Sequence, residues 1–284
     1  MSDSSFIPPQ ASSSQEGQEH SLSRQRYLGF FQHHPLLIFF FLAFAIEWIL
    51  FGVSWALDFT STTVGFALFT LLISYGVTLA AVITLTLLRN RDESAALRRR
   101  LLTWRVGFGW YLLALLLLCG LWLCSIAVFA LFGFHRSIQP GALALLPAVF
   151  VINLGEEIGW RGFALPQLQA RFNAVTAAVR LGAIWSLFHF PVYYQRPLFY
   201  LIFAVFIVAL SIILTWVFNR TRGSILLMVL FHCSLNVSLY IFPAPDATVN
   251  GILAVMAALA WLVAGFLIIS STGARTDLDL QNAG

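Results

Sequence analysis

The stretch Val151–Pro166, VINLGEEIGWRGFALP, sets two adjacent glutamates and an arginine inside a long apolar run. At mid-helix and facing lipid, Glu156, Glu157 and Arg161 would each cost about 2.5 to 3.5 kcal/mol, on the order of 8 to 10 kcal/mol together. They must therefore face a bundle interior or a water-filled cavity. At about 100° per residue, Glu157 and Arg161 lie nearly on one helix face, while Glu156 points roughly 140° away from the arginine. Glu157 is predicted to pair with Arg161 and hold the helix, leaving Glu156 available for chemistry. A pair of ordinary interhelical ion pairs is the competing reading of this stretch taken alone. Gly155, Gly159 and Gly162 thin the same helix and invite close approach of another backbone. Pro166 is predicted to end or kink it.

Outward from this stretch, the composition is that of an integral membrane protein. Sixty per cent of the 284 residues are apolar and ten per cent are charged, and the mean hydropathy is +0.85, outside the soluble range. The apolar residues fall into runs of about 20, the length a helix needs to cross a hydrocarbon core of roughly 30 Å. None alternates over about 10 residues as barrel strands do. The predicted fold is all-α, a polytopic helical bundle of eight spans at about 36–58, 62–88, 107–133, 142–159, 176–194, 198–218, 224–242 and 251–271. Residues 1–34, rich in Ser, Gln and Pro, read as a disordered tail and not a signal peptide, and 272–284 as a second tail. Cys119, Cys124 and Cys233 lie in apolar spans without metal-ligand spacing and read as small core residues.

The sixteen basic residues are all arginines. Eight alternating spans place Arg24, Arg26, Arg89, Arg91, Arg98, Arg99, Arg100, Arg105, Arg161, Arg171, Arg180, Arg220, Arg222 and Arg275 toward one side, and Arg136 and Arg196 toward the other. The positive-inside rule makes the rich side cytoplasmic, with both termini inside. The net charge of +4 is thus a topology signal and no nucleic-acid footprint. The connection RNRDESAALRRRLLTWR reads as a helix lying on an anionic membrane face.

Two later spans supply what a lone carboxylate lacks. LGAIWSLFHFP carries His189 just before Pro191, and LLMVLFHCSLNVSLY carries His232 and Asn236 four residues apart on one face. A single histidine on an apolar helix is usually a core residue bonded to a neighbouring carbonyl. Glu, two His and Asn on three separate spans suit hydrolysis instead. Glu156 would take a proton from a water that His189 orients, and His232 and Asn236 would donate to the oxyanion. Zinc bound by Glu156, His189 and His232 is the competing chemistry, although no HExxH is present. An ion pathway would ask for polar early spans, and the second and third spans have few polar residues. Glu47, in FAIEWIL, is a further intramembrane carboxylate, expected to pair with a core histidine or arginine or to lie at a substrate opening. The catalytic side chains are expected to converge in the cytoplasmic half of the bundle.

EEIGWRGFALPQL resembles the EExxxR motif, WSLFH the FxxxH motif with Trp185 at the usual phenylalanine, and HCSLN the HxxxN motif. These are the three motifs, in order, of the CPBP family of CAAX proteases and bacteriocin-processing enzymes, also called the ABI family. The resemblance implies an intramembrane endopeptidase with its core at 142–271 behind variable spans at 35–141. It implies Glu156 and His189 as the water-activating pair, His232 and Asn236 as the oxyanion pair, and Glu157 and Arg161 as supporting residues. It further implies a glutamate-type mechanism without cofactor, zinc being the alternative, and a membrane-associated or prenylated protein substrate. A bacterial inner membrane is the expected location. A non-proteolytic membrane partner or bacteriocin-immunity protein of the same fold is the alternative function.

Overall fold

The computed structural model describes residues 34–58, 62–134, 138–243 and 246–282. The tail reading of residues 1–34 falls outside these except at its last residue. Among the described residues every regular element is helical. The chain runs through α1 (Pro35–Ala56), α2 (Thr63–Leu87), α3 (Arg91–Leu101) and α4 (Phe108–Ala130). A 3-10 turn (Pro140–Leu145) then leads into α5 (Leu146–Glu157), a π-helical turn (Ile158–Ala164) and α6 (Leu165–Gln169). Beyond these lie α7 (Ala174–Phe188), α8 (Phe190–Tyr193), α9 (Pro197–Arg220), α10 (Ile225–Ile241) and α11 (Asp246–Asn282).

Each predicted span coincides with a helix. Six are long and apolar enough to cross a membrane, and α7 and α10 are shorter apolar helices. The chain is thus an all-α polytopic membrane bundle. Local signals set several starts, because a side-chain oxygen satisfies an orphan N–H of the first turn. Thr62 accepts from Gly65, Asn90 from Glu93, Asn173 from Thr176 and Ser224 from Leu227. α1 packs on α2 and α2 on α5, α10 lies between α4 and α5, and α9 lies between α7 and α11.

Two expectations about helix ends are corrected. The fourth span does not stop near residue 159 but runs on as one rod over Pro140–Gln169. Its backbone passes Pro166 by widening, so that the Leu165 N–H bonds the Trp160 carbonyl five residues back. Proline lacks the N–H that would serve the carbonyl four residues earlier, here Gly162. Arg100 of α3 supplies that donor, with Nη1 2.8 Å from the Gly162 oxygen and 2.8 Å from Glu93 Oε1. α3 is therefore docked onto the site helix through Arg100 and the buried Leu97, while Arg98 and Arg99 remain exposed. The fifth span breaks at His189, where Pro191 withholds a donor from the Leu187 carbonyl, and α8 follows as a separate turn.

Glycines bring α2 against α5. A Cβ on Gly155 would lie 2.9 Å from the Ser74 carbonyl carbon, and one on Gly159 2.8 Å from the Val77 oxygen. At this crossing Thr78 Oγ1 donates to the Gly155 carbonyl at 2.5 Å. The backbone carrying the two glutamates is thereby pinned by contact that only residues without a Cβ allow.

Candidate active site

Glu157 is fully buried at the end of α5. Its Oε1 accepts from Arg161 Nη1 at 2.9 Å and from His232 Nδ1 at 3.0 Å. The i, i+4 pair foreseen in the sequence is present, and the same oxygen also grips the helix that carries His232. The Arg161 guanidinium is itself buried and lies 4.1 Å over the Trp185 ring, so an aromatic face receives the cation that water does not reach.

Glu156 points elsewhere, as the helical geometry requires. Its Oε2 accepts from the Trp185 indole Nε1 at 3.1 Å. Trp185 thus touches both halves of the motif, its face on Arg161 and its N–H on Glu156. One turn later, His189 Nδ1 donates to the Trp185 carbonyl at 2.9 Å. A carbonyl only accepts, so in the neutral ring Nδ1 carries the proton and Nε2 is the basic nitrogen. The ring is held edge-on by Trp185, Phe188 and Phe203.

His232 gives Nδ1–H to Glu157, which leaves Nε2 for the cavity. Its ring lies 5.5 Å from that of Trp185 in a T-shaped contact. Asn236, one turn further along α10, donates Nδ2 to Asn153 Oδ1 at 3.0 Å, and Asn153 donates in turn to Cys233 Sγ at 3.4 Å. One proton of the Asn236 amide is thereby used for positioning and the other is left.

Glu156, His189, His232 and Asn236 all line one cavity of about 410 Å³, together with Asn153 and Trp185. Its remaining walls are largely apolar, with Trp122, Phe199, Phe203, Leu253 and Met256 among them. The site lies at middle depth in the bundle, and the cavity extends from it toward the ends of α9, α10 and α11 that are remote from the arginine-rich loops. That direction departs from the expected convergence in the arginine-rich half. It follows from His189 standing at the far end of α7, after its last residue.

Zinc would need three donors meeting at one point. No group of three His, Cys, Asp or Glu side chains among the described residues is arranged to hold a metal ion. Glu156 Oε2 is engaged by the Trp185 N–H, and each histidine is held through its Nδ1.

Two residues of this site escaped the sequence reading. Trp185 stands at the usual phenylalanine of the FxxxH motif, yet phenylalanine has no N–H to offer Glu156. The signal was available, because a buried indole N–H seeks an acceptor. Asn153 sits in the opening stretch itself, and its burial calls for partners in the same way. The cysteine reading is corrected in part: Cys233 is buried and accepts from Asn153, but Cys124 is exposed. Glu47 is buried on the inward stripe of α1, and neither carboxylate oxygen has a hydrogen-bond partner. Among the described residues it makes no ion pair with a histidine or arginine, so the expected pairing is not found, and it is not among the residues that line the cavity.

Comparison with known proteins adds the following. Residues 138–238 match the family described as type II CAAX prenyl endopeptidase Rce1-like. A curated protein called CAAX prenyl protease 2, from Methanococcus maripaludis, is 36% identical over 107 residues. That match covers 33% of this chain and 40% of the relative, so the chain spans well under two thirds of the relative's length. All three sequence motifs lie inside the matched segment 138–238.

Proposed function

We propose, from the match of residues 138–238 to the Rce1-like CAAX prenyl endopeptidase family, that the chain is an intramembrane endopeptidase. Glu156 takes a proton from a water that the basic Nε2 of His189 holds in place, and the resulting hydroxide attacks the scissile carbonyl carbon. The carbonyl oxygen becomes an oxyanion that accepts from His232 Nε2–H and from the second N–H of Asn236. For His232 to donate there, its ring must carry both protons, and the Glu157 carboxylate is the counter-charge. Glu156 then returns its proton to the departing amine as the C–N bond breaks. The residues of 142–271 form the catalytic core, and the substrate is a membrane-associated or prenylated polypeptide.

The observation that carries this reading is the meeting of Glu156, His189, His232 and Asn236, from three separate stretches of sequence, on one cavity. The test is cleavage of a membrane-anchored peptide by the purified protein in detergent. Glu156→Gln, His189→Ala and His232→Ala should each abolish cleavage while the protein elutes and melts as a folded species. Full activity of Glu156→Gln would remove the mechanism and favour a non-proteolytic partner of the same fold. Stoichiometric zinc in that preparation, with turnover lost on chelation and restored by zinc, would replace the glutamate-type chemistry by a metal-dependent one.

A further inference from the structure

The cavity is closed at one end and open at the other. Between Glu156 and the arginine-rich loops the bundle is solid: Trp160, Arg161, Phe163 and Leu165 of the site rod are at most 1% exposed. Leu181 of α7, Leu214 and Val217 of α9, and Ile225 and Met228 of α10 complete that plug, each with no exposed surface. In the opposite direction burial gives way. Asn236 is half-buried, and Leu239 and Tyr240 are 37% and 48% exposed, all lining the cavity. Phe199, near the start of α9, and Val249, near the start of α11, belong to the same rim.

The two ends differ equally in charge. Arg89, Arg105, Arg171 and Arg222 lie in the loops beyond the plug, and Arg91, Arg98, Arg99 and Arg100 on α3 beside them. Arg180, midway along α7, also turns that way, its guanidinium 3.6 Å over the ring of Phe172 in the loop before α7. At the rim end the described residues hold Arg196 alone. Flanking arginine marks the cytoplasmic face, so the plug faces the cytoplasm and the rim faces away from it.

We infer that this site takes its substrate from the extracytoplasmic side: a hydrophobic polypeptide segment displayed at the outer membrane surface. The inference rests on the endopeptidase reading and narrows its substrate class. A C-terminus lipidated in the cytoplasm would meet the plugged end, with the Glu157–Arg161 pair and its aromatic packing in the way. A segment already translocated meets Tyr193 and Tyr240 first, two side chains suited to a membrane interface. Beyond them lie the apolar walls, and at the bottom the carboxylate.

Single cysteines test this in the full chain, with Cys119 and Cys124 replaced and the buried Cys233 retained as the baseline. Tyr240→Cys on the rim and Leu235→Cys inside the cavity should react with a membrane-impermeant maleimide in intact cells. Arg99→Cys should react only after permeabilisation. Labelling of Arg99→Cys from outside, or of Leu235→Cys only after permeabilisation, would overturn the inference. These outcomes do not depend on proteolysis, so loss of the endopeptidase reading is read separately, from Glu156→Gln. In vesicles sealed with the cell's own orientation, a cleavable anchored peptide should be cut when added outside and spared when enclosed. The reverse result would place access at the arginine-rich face.

Discussion

His232 Nδ1 and Arg161 Nη1 meet on a single oxygen, Glu157 Oε1, at 3.0 and 2.9 Å. Glu157 is therefore the joint between the motif helix and α10, and Glu156 beside it carries neither partner. Replacing Glu157 by Gln leaves Arg161 buried without its counter-charge, and breaking a buried pair from one side costs about 3 to 5 kcal/mol. A large fall in melting temperature is expected for Glu157→Gln. Glu156→Gln should melt close to the parent, because a glutamine oxygen still accepts from Trp185. Measuring melting and peptide cleavage for both variants separates scaffold from chemistry: Glu156→Gln loses turnover alone, Glu157→Gln loses both. Equal melting of the two would show that the buried pair carries no structural weight.

Trp185→Phe keeps an aromatic face for Arg161 and removes the N–H that Glu156 accepts. A hydrogen bond to a charged group contributes about 1.5 to 3 kcal/mol. If that bond aims the carboxylate at the reacting water, turnover should fall about ten- to a hundred-fold, at 1.4 kcal/mol per tenfold. KM should move little, since the substrate's side chains lose no partner. Unchanged turnover in a folded Trp185→Phe variant would mean that the indole only fills space.

The spans were legible because hydrocarbon thickness dictates their length, and the Glu157–Arg161 pair because four residues make little more than one turn. Less local features were hidden. The widened turn over Ile158–Ala164 depends on Pro166 withholding a donor and on Arg100, 62 residues away from Gly162, replacing it. Nothing within VINLGEEIGWRGFALP announces that second half. The grip of Glu157 on His232 likewise spans 75 residues, so a helical wheel shows which face the carboxylate occupies but not what it meets. The buried Glu47, with no partner for either oxygen, has no physical account in the structure.

The α2–α5 crossing predicts a sharp contrast among glycines. A Cβ at Gly159 would fall 2.4 Å from Val77 Cγ1 and 2.8 Å from the Val77 carbonyl oxygen, and backbone cannot rotate away. Overpacking of this kind costs typically about 1 to 3 kcal/mol, so Gly159→Ala should lower the melting temperature. It should also lower turnover, since the separation of the two helices places Glu156. Gly120→Ala, where nothing lies within 4 Å, should be neutral or slightly stabilising through its helix propensity. Equal behaviour of the two variants would show that α2 and α5 have room to separate.

Arg100 gives the last contrast. Its neighbour Arg99 is exposed, and both contribute equally to the charge of the arginine-rich face, so topology alone makes them interchangeable. Of the two, only Arg100 donates to the Gly162 carbonyl, whose α-helical donor position is the N–H-less Pro166. Leaving such a group unsatisfied costs about 1 to 3 kcal/mol. Arg100→Met keeps much of the apolar stem and should lower the melting temperature, whereas Arg99→Met should not. Pro166→Ala restores the missing N–H, and in that background the Gly162 carbonyl has a donor without the guanidinium. The loss caused by Arg100→Met should therefore shrink when the two substitutions are combined. Additive effects in this cycle would show instead that Arg100 acts through Glu93 and the membrane surface.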